Sequence, residues 1–310
     1  MVRFAEFLNP VRERLQTVFA GQNISAPLRF FDSQGFSQEA RRTFLWCLWR
    51  HGRAPQQSAL LAEARRLCDS ENTRFTEQAL LIEASLVSIE RLPGMPIPES
   101  VARFTAADYD FFAAPPPHWL FQLNFEEYSF HAYAGVAILK RFPAGIFSWE
   151  VSGFPRSWFF RVSLRDALAL AARFAGLGGF SPFLFPHMTV DRRSVRFMTL
   201  PEVRRAFLRI AWTLAHSPKL KGILANSWLY STETARVSPH LAFLRALVLD
   251  NGGCLCDLGA APASAGFLAG DARRAELYEQ GEYHPRNTMV LWPREAVLSW
   301  AASQPRFDNP

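Results

Sequence analysis

Apolar residues recur at helical spacing through the first part of the chain. Phe4, Phe7 and Leu8 begin a stripe that Val11, Leu15 and Phe19 continue, the three-and-four spacing that gathers side chains on one helix face. Pro10 is expected to break or kink this helix. Ser37 stands as an N-cap before a segment reaching His51, which carries Phe44, Cys47 and Leu48 on one face. Ala59 to Leu67 and Thr76 to Leu92 read as two further amphipathic helices. Prolines at 93, 96 and 98 then exclude regular helix from Leu92 to Pro98. The predicted organisation is a helical N-terminal region over 1–98 and a mixed α/β domain over 99–310.

Beyond the triple proline at 115–117 the texture changes. Trp119 to Asn124, Ala132 to Leu139 and Ile146 to Val151 are rich in aromatic and β-branched residues and predict strands. Ser163 opens a helix that runs to about Ala175. Phe183 to Val190 predicts a strand, placed at an edge or bulge by Pro186. A loop from Asp191 to Met198 follows, with Arg192, Arg193 and Arg196. Thr199-Leu200-Pro201-Glu202 matches a capping box, and Val203, Phe207, Ile210 and Leu214 give the next helix its buried stripe. Ile223 to Leu229 predicts a strand, Ser238-Pro239 a helix start, and Cys254 to Leu258 another strand. A helix over Asp271 to Gln280, a strand over Thr288 to Trp292 and a short helix from Pro293 through Trp300 complete the order. Alternating helices and strands predict a mixed α/β (α+β) layer structure.

Composition narrows the classes. Apolar content of 49% with 20% charged residues excludes wholesale disorder. The formal charge is +6, and lysine occurs only at Lys140, Lys219 and Lys221, so the basic character is arginine's. Without a long Lys/Arg tract or a recognisable motif, nucleic acid is not the favoured partner. Cys254-Leu255-Cys256 lacks the spacing of zinc or redox motifs and predicts two small residues on one buried strand face. An early Glu6 with no apolar h-region gives no secretory signal, and Arg or Pro interrupts every apolar run. A cytoplasmic protein with no membrane partner is the expectation.

The candidate chemistry centres on the arginine loop. Arg192, Arg193 and Arg196 lead into a helix start at Thr199, where free backbone amides and the helix dipole favour an anionic group such as phosphate. His187 precedes that loop, with Asp191 four residues on, and is a candidate general base. Asn226, Ser227 and Tyr230 stand at the end of a predicted inner strand, where ligands of α/β sheets collect. A metal-dependent small-molecule enzyme using His187, Asp191 and His284 is an alternative. Their spacing matches no metal motif, so no metal ligand is assigned. No G-x-S-x-G elbow and no Walker A lysine are present.

The order strand, loop, helix, strand, helix, strand over Phe180 to Asp257 resembles the acyl-CoA-binding half of the GNAT acyltransferase superfamily. The run Ala275-Glu276-Leu277-Tyr278-Glu279-Gln280-Gly281-Glu282-Tyr283 resembles that superfamily's late helix, a Leu-Tyr pair before a Gly-aromatic turn. The resemblance implies an N-acyltransferase that moves an acyl group from acyl-CoA to a small amine or amino-acid-like substrate. It implies Arg192, Arg193, Arg196 and Thr199 at the phosphates, with Asn226 beside them. It implies Tyr278 or Tyr230 as acid toward the departing thiolate, and Glu150 or His187 as base. Arg193 to Met198 carries Arg196 and Met198 where the superfamily's loop has small residues, which also suits a noncatalytic ligand-binding protein on a degenerate form of that fold.

Overall fold

The computed structural model describes residues 2–20, 28–29, 31–51, 76–113, 128–188, 198–262 and 271–305. It is a mixed α/β protein in which two compact units divide at Pro143/Ala144.

The first unit is mainly helical. Helices α1 (Val2–Ala20), α2 (Gln38–His51), α3 (Thr76–Ile89), α4 (Glu99–Ala113) and α5 (Tyr128–Ala137) precede a short strand β1 (Arg141–Pro143). Helix α1 continues through Pro10. Leu8, Val11 and Leu15 are buried on α1, which packs on α3 and α4, and this burial offsets the roughly 3 kcal/mol that an interior proline costs. The Ser37 cap forms as expected, its Oγ accepting from the Ala40 amide at 3.4 Å. The prolines of 92–98 produce only a 3-10 turn, Leu92–Gly94, inside the unit, because α4 folds back onto α1 and α3.

Ala132 to Leu139, expected as a strand, lies mostly in helix α5. Its residues are buried on every side, so apolar periodicity cannot distinguish helix from strand there. Gly135 permits the packing: a Cβ on it would lie 2.5 Å from Cδ1 of Trp49 on α2. At the other end of α2, Arg41 is buried. It donates Nε and Nη2 to the two Glu83 oxygens at 2.7 and 2.5 Å, and Nη1 to Asp32 at 2.8 Å and to the Phe36 carbonyl at 2.6 Å. Removing one partner of such a pair strands a buried charge, at a cost of about 3–5 kcal/mol.

The second unit is built on five strands: β2 (Phe147–Ser152), β3 (Phe183–Met188), β4 (Gly222–Ser227), β5 (Cys254–Ala260) and β6 (Arg286–Pro293). Their order is β2-β3-β4-β6-β5. Among the described residues only β3 and β4 are parallel; the pairs β2–β3, β4–β6 and β5–β6 are antiparallel. The helices are α6 (Leu164–Gly176), α7 (Leu200–His216), α8 (Thr232–Val237), α9 (Ala242–Leu249), α10 (Ala272–Glu279) and α11 (Arg294–Ser303). Ser163 caps α6, accepting from the Asp166 amide, and Asp271 caps α10, accepting from the Arg274 amide.

Alternation along each strand gives the sheet two faces. One carries Phe183, Leu224, Leu258, Met289 and Leu291, covered by Leu170 and Phe174 of α6 and by Phe154 and Trp158. The opposite face carries Phe147 and Trp292, against which α7 lays Phe207 at ring separations of 5.4 and 5.6 Å. Trp300 of α11 closes that side, 5.1 Å from Trp292. Pro186 lies in β3, which is flanked by β2 and β4 and is therefore not an edge strand. The parallel pairing with β4 is in register at Leu184–Ile223. Two residues further on, the missing amide of Pro186 breaks no registered β4 pair, which is how the sheet accommodates it.

Gly222 starts β4 with φ +142°, and a Cβ there would lie 2.2 Å from the Trp292 carbonyl oxygen and 2.9 Å from the Arg294 amide. Gly222→Ala is expected to destabilise the protein by about 2–4 kcal/mol. Urea unfolding of the variant checks this, and an unchanged midpoint would contradict the close β4–β6 approach.

Candidate functional site

The structure brings two sequence candidates together. Register pairs Ser148 with His187 and Glu150 with Phe185, so Glu150 and His187 are diagonal neighbours on one face. His187 Nε2 lies 3.4 Å from Glu150 Oε1. Their side chains are 23% and 19% exposed, which leaves them reachable by a small molecule while shielding them from bulk water. Phe185, two residues before His187 on the same face, lies 5.0 Å from the imidazole and 6.4 Å from Trp158, and this aromatic backing orients the ring.

Asn226 belongs to the same neighbourhood. The parallel pair Leu184–Ile223 sets the level of β3 against β4, and three residues further along stand His187 and Asn226. Asn226 shares the face of Leu224, two residues before it. Its Oδ1 is buried and has no hydrogen-bond partner among the described residues. A carboxylate, an imidazole and an amide oxygen thus line one sheet face near the C-terminal ends of the parallel pair β3 and β4. An imidazole beside a carboxylate can take a proton from an ammonium group, the carboxylate favouring the imidazolium that results. The amide oxygen can accept an N–H.

The helix that follows β3 begins as expected, but its cap differs. Thr199 is the N-cap residue of α7 and its side chain makes no capping hydrogen bond. Glu202, expected to reach back in a capping box, is paired with Arg205 one turn on. Pro201 has no amide to offer and the Val203 amide is bonded to the Thr199 carbonyl, so among the described residues the Leu200 and Glu202 amides are the first-turn donors that the helix itself does not use. Arg192, Arg193 and Arg196 lie outside the described residues, as do Asp191, Glu126, Glu127 and the predicted strand Trp119 to Asn124.

The two tyrosine candidates have different settings. Tyr230 is buried in a 3-10 turn, Trp228–Tyr230, directly after β4. Burial raises its phenol above the ordinary range. Tyr278 is 42% exposed on α10, between β5 and β6. It does not belong to α8 or α9, the helices that join β4 to β5. The arginine loop and Tyr278 therefore correspond to different strand–helix–strand steps of the sheet.

For the metal alternative, His284 is exposed before β6, and no group of three or more His, Cys, Asp or Glu side chains suited to a metal occurs among the described residues. Cys254 and Cys256 share a face of β5, half-buried rather than fully enclosed, and pack against the core. Burial, with Asp166, Cys254 and Asp257 nearby, pushes the Cys256 thiol up to about 11, which suppresses thiolate chemistry at neutral pH. No described helix is long and apolar enough to cross a membrane. Compared with family models, curated proteins and solved structures, the chain gives no match in any of the three. What the fold defines by itself is a two-unit mixed α/β protein with a cluster of polar side chains on one sheet face.

Sequence reasoning found Glu150, His187 and Asn226 singly. It could not join Glu150 to His187, because the whole of α6 separates β2 from β3 and no tight turn fixes their register.

Burial holds three phenols, Tyr109, Tyr230 and Tyr283, above the ordinary value. Their unfolded counterparts ionise near pH 10, so above that pH the unfolded chain binds fewer protons than the native one. The stability they confer is complete below about pH 10 and is lost as pH rises further. In an alkaline titration, 295 nm absorbance is expected to show these phenols ionising only as circular dichroism reports unfolding. Ionisation of all 6 tyrosines with the fold intact would contradict their burial.

Proposed function

We propose that the second unit is an acyl-CoA-dependent N-acyltransferase of GNAT-like fold acting on a small amine or amino-acid-like substrate. The observation that carries the reading is the Glu150–His187 pair, 3.4 Å apart, on the sheet face beside the ends of parallel β3 and β4. His187 accepts the ammonium proton, and Glu150 steadies the imidazolium. The free amine then attacks the thioester carbonyl, the C–N bond forms, the C–S bond breaks, and the thiolate leaves with a proton. Tyr230, just beyond β4, is the better placed donor in the strand order, because Tyr278 sits on a later connection. Asn226 Oδ1 lacks a partner among the described residues and would accept an amide N–H of the acyl donor or the substrate. Arg192, Arg193 and Arg196, on the segment between β3 and α7, would meet the phosphates with the Leu200 and Glu202 amides.

The element order supports the reading as well. Strand β3, an arginine-bearing connection, α7, β4, α8 with α9, and β5 follow one another in the sequence on which the superfamily resemblance rests.

The test is twofold. Acetyl-CoA and longer acyl-CoAs should raise the melting temperature, and free thiol should appear when a panel of primary amines is added. His187→Ala and Glu150→Gln are expected to lower turnover by about 10²–10⁴-fold while the acyl-CoA shift remains. The Arg193→Ala/Arg196→Ala double variant should lose the shift itself. Absence of both shift and thiol release would reject the reading.

A further inference from the structure

The opposite face of the sheet carries a recess. It is a cavity of about 220 Å³ lined by Ser231, Thr232, Arg245, Leu255, Asp257, Arg286 and Thr288. Its floor is strand: Leu255 and Asp257 stand opposite Val290 and Thr288, on the face that α7 and α9 cover, whereas Glu150 and His187 are on the other. Its walls are the turn after β4 and helix α9. The volume exceeds many times the space needed for one water and falls below that of a drug-sized pocket, so the occupant is a small molecule or the terminal group of a larger one.

The hydrogen-bonding capacity of the lining selects the ligand. Ser231 is spent: its hydroxyl donates to Thr234 Oγ1 at 2.9 Å and accepts from the Thr234 amide at 3.0 Å. Asp257 is also engaged. It accepts from the Gly259 amide at 2.8 Å and pairs with Arg286 Nε at 2.5 Å, an arrangement set by the register shift between Asp257 and Ala260. Arg245 gives one N–H to the Tyr230 carbonyl at 3.0 Å, which fixes the guanidinium without using its remaining donors. Two guanidiniums face one carboxylate in the lining, so one positive charge is left over. Among these side chains the unspent groups are donors: the rest of both guanidiniums, with the hydroxyls of Thr232 and the buried Thr288 beside them.

We propose that this cavity is a binding site for a compact oxyanion, carboxylate or phosphate, held by Arg245 with Thr288 and Thr232, and with Arg286 as the second cation. The planar guanidinium fork suits such a group. The site lies on the other face from Glu150 and His187 and meets the acyl-transfer reading only at Tyr230, whose carbonyl holds Arg245. Bridging the turn after β4, α9 and the β5–β6 pair, the ligand ties together segments distant in sequence.

The experiment is isothermal titration of the full chain with inorganic phosphate and, separately, acetate and succinate, at ionic strength fixed with chloride. The Arg193→Ala/Arg196→Ala protein serves as background, so that the loop before α7 cannot supply the signal. Saturable one-to-one binding of either class is expected, weakened at least about tenfold by Arg245→Gln and less by Thr288→Val. The class that binds identifies the oxyanion. Arg245→Gln also removes the bond to the Tyr230 carbonyl, so Thr232→Val, at an exposed position, gives a second test with little risk to folding. His187→Ala should leave the affinity unchanged. No saturable binding below about 10 mM for any probe, or affinities indifferent to the Arg245, Thr288 and Thr232 changes, would overturn the proposal. Retained oxyanion binding without acyl-CoA turnover would count against the acyltransferase alone.

Discussion

The second unit depends on the seating of α7 against the sheet. Strands β3 and β4 run parallel, and parallel neighbours need a crossover that leaves one end of the sheet and returns to the other. Helix α7 is that crossover. Val203, Phe207, Ile210 and Leu214 point into the core and are buried. Phe207 reaches Phe147 of β2, Trp292 of β6 and, at 6.5 Å, Trp300 of α11. One ring thus ties β2 to the distant β6–α11 segment, and each such aromatic pair adds about 0.5–1.5 kcal/mol beyond the area it buries. Loosening this contact would let β4 move relative to β3, and with it Asn226 relative to His187.

Much of this framework is legible in the chain. The Val203–Leu214 stripe, the cap at Ser37, the helix starts at Ser163 and Asp271, and the existence of β3, β4 and β6 follow from periodicity and end signals. Strand β4 stops at Ser227 where the sequence suggests Leu229, because a 3-10 turn takes over at Trp228. The failures have physical reasons. Helix α5 is buried on all sides, so Ala132 to Leu139 shows no polar face to betray a 3.6-residue period. Pro10 persists in α1 because tertiary burial outweighs a local penalty. Thr199 and Glu202 have the letters of a capping box, yet Glu202 finds Arg205 within the same helix. The prolines of Leu92 to Pro98 look like a linker, but what makes a boundary is the loss of contacts across it, and α4 restores those contacts by packing on α1 and α3.

The candidate site was legible as residue types and not as a constellation. A histidine and a glutamate in different strands become partners only when register is set, and here register is carried by side chains on both faces, not by a turn. The oxyanion recess was less legible still. Arg245 stands in a helix and Asp257 and Arg286 in two strands, separated along the chain with no spacing that joins them. Only the antiparallel meeting of β5 and β6, with its shift near Asp257, brings them to one place.

The distribution of polarity along a single face marks out the ends of β3 and β4. Phe183 and Phe185 on β3 are followed by His187, and Leu224 on β4 by Asn226. Both parallel strands pass from apolar to polar as they approach the ends where they leave the sheet. Packing alone does not call for that change: the same face holds Met289, Leu291 and Leu258 in a tight cluster, and an apolar residue at 226 would extend it. Instead the chain keeps a buried amide oxygen with no partner among the described residues, a choice that costs about 1–3 kcal/mol. It also keeps a carboxylate and an imidazole 3.4 Å apart and only partly solvated. Three polar groups on neighbouring strands of one face suit the wall of a polar ligand's site, and in the proposed reaction an acceptor amine would pass its proton to His187 while its N–H meets Asn226.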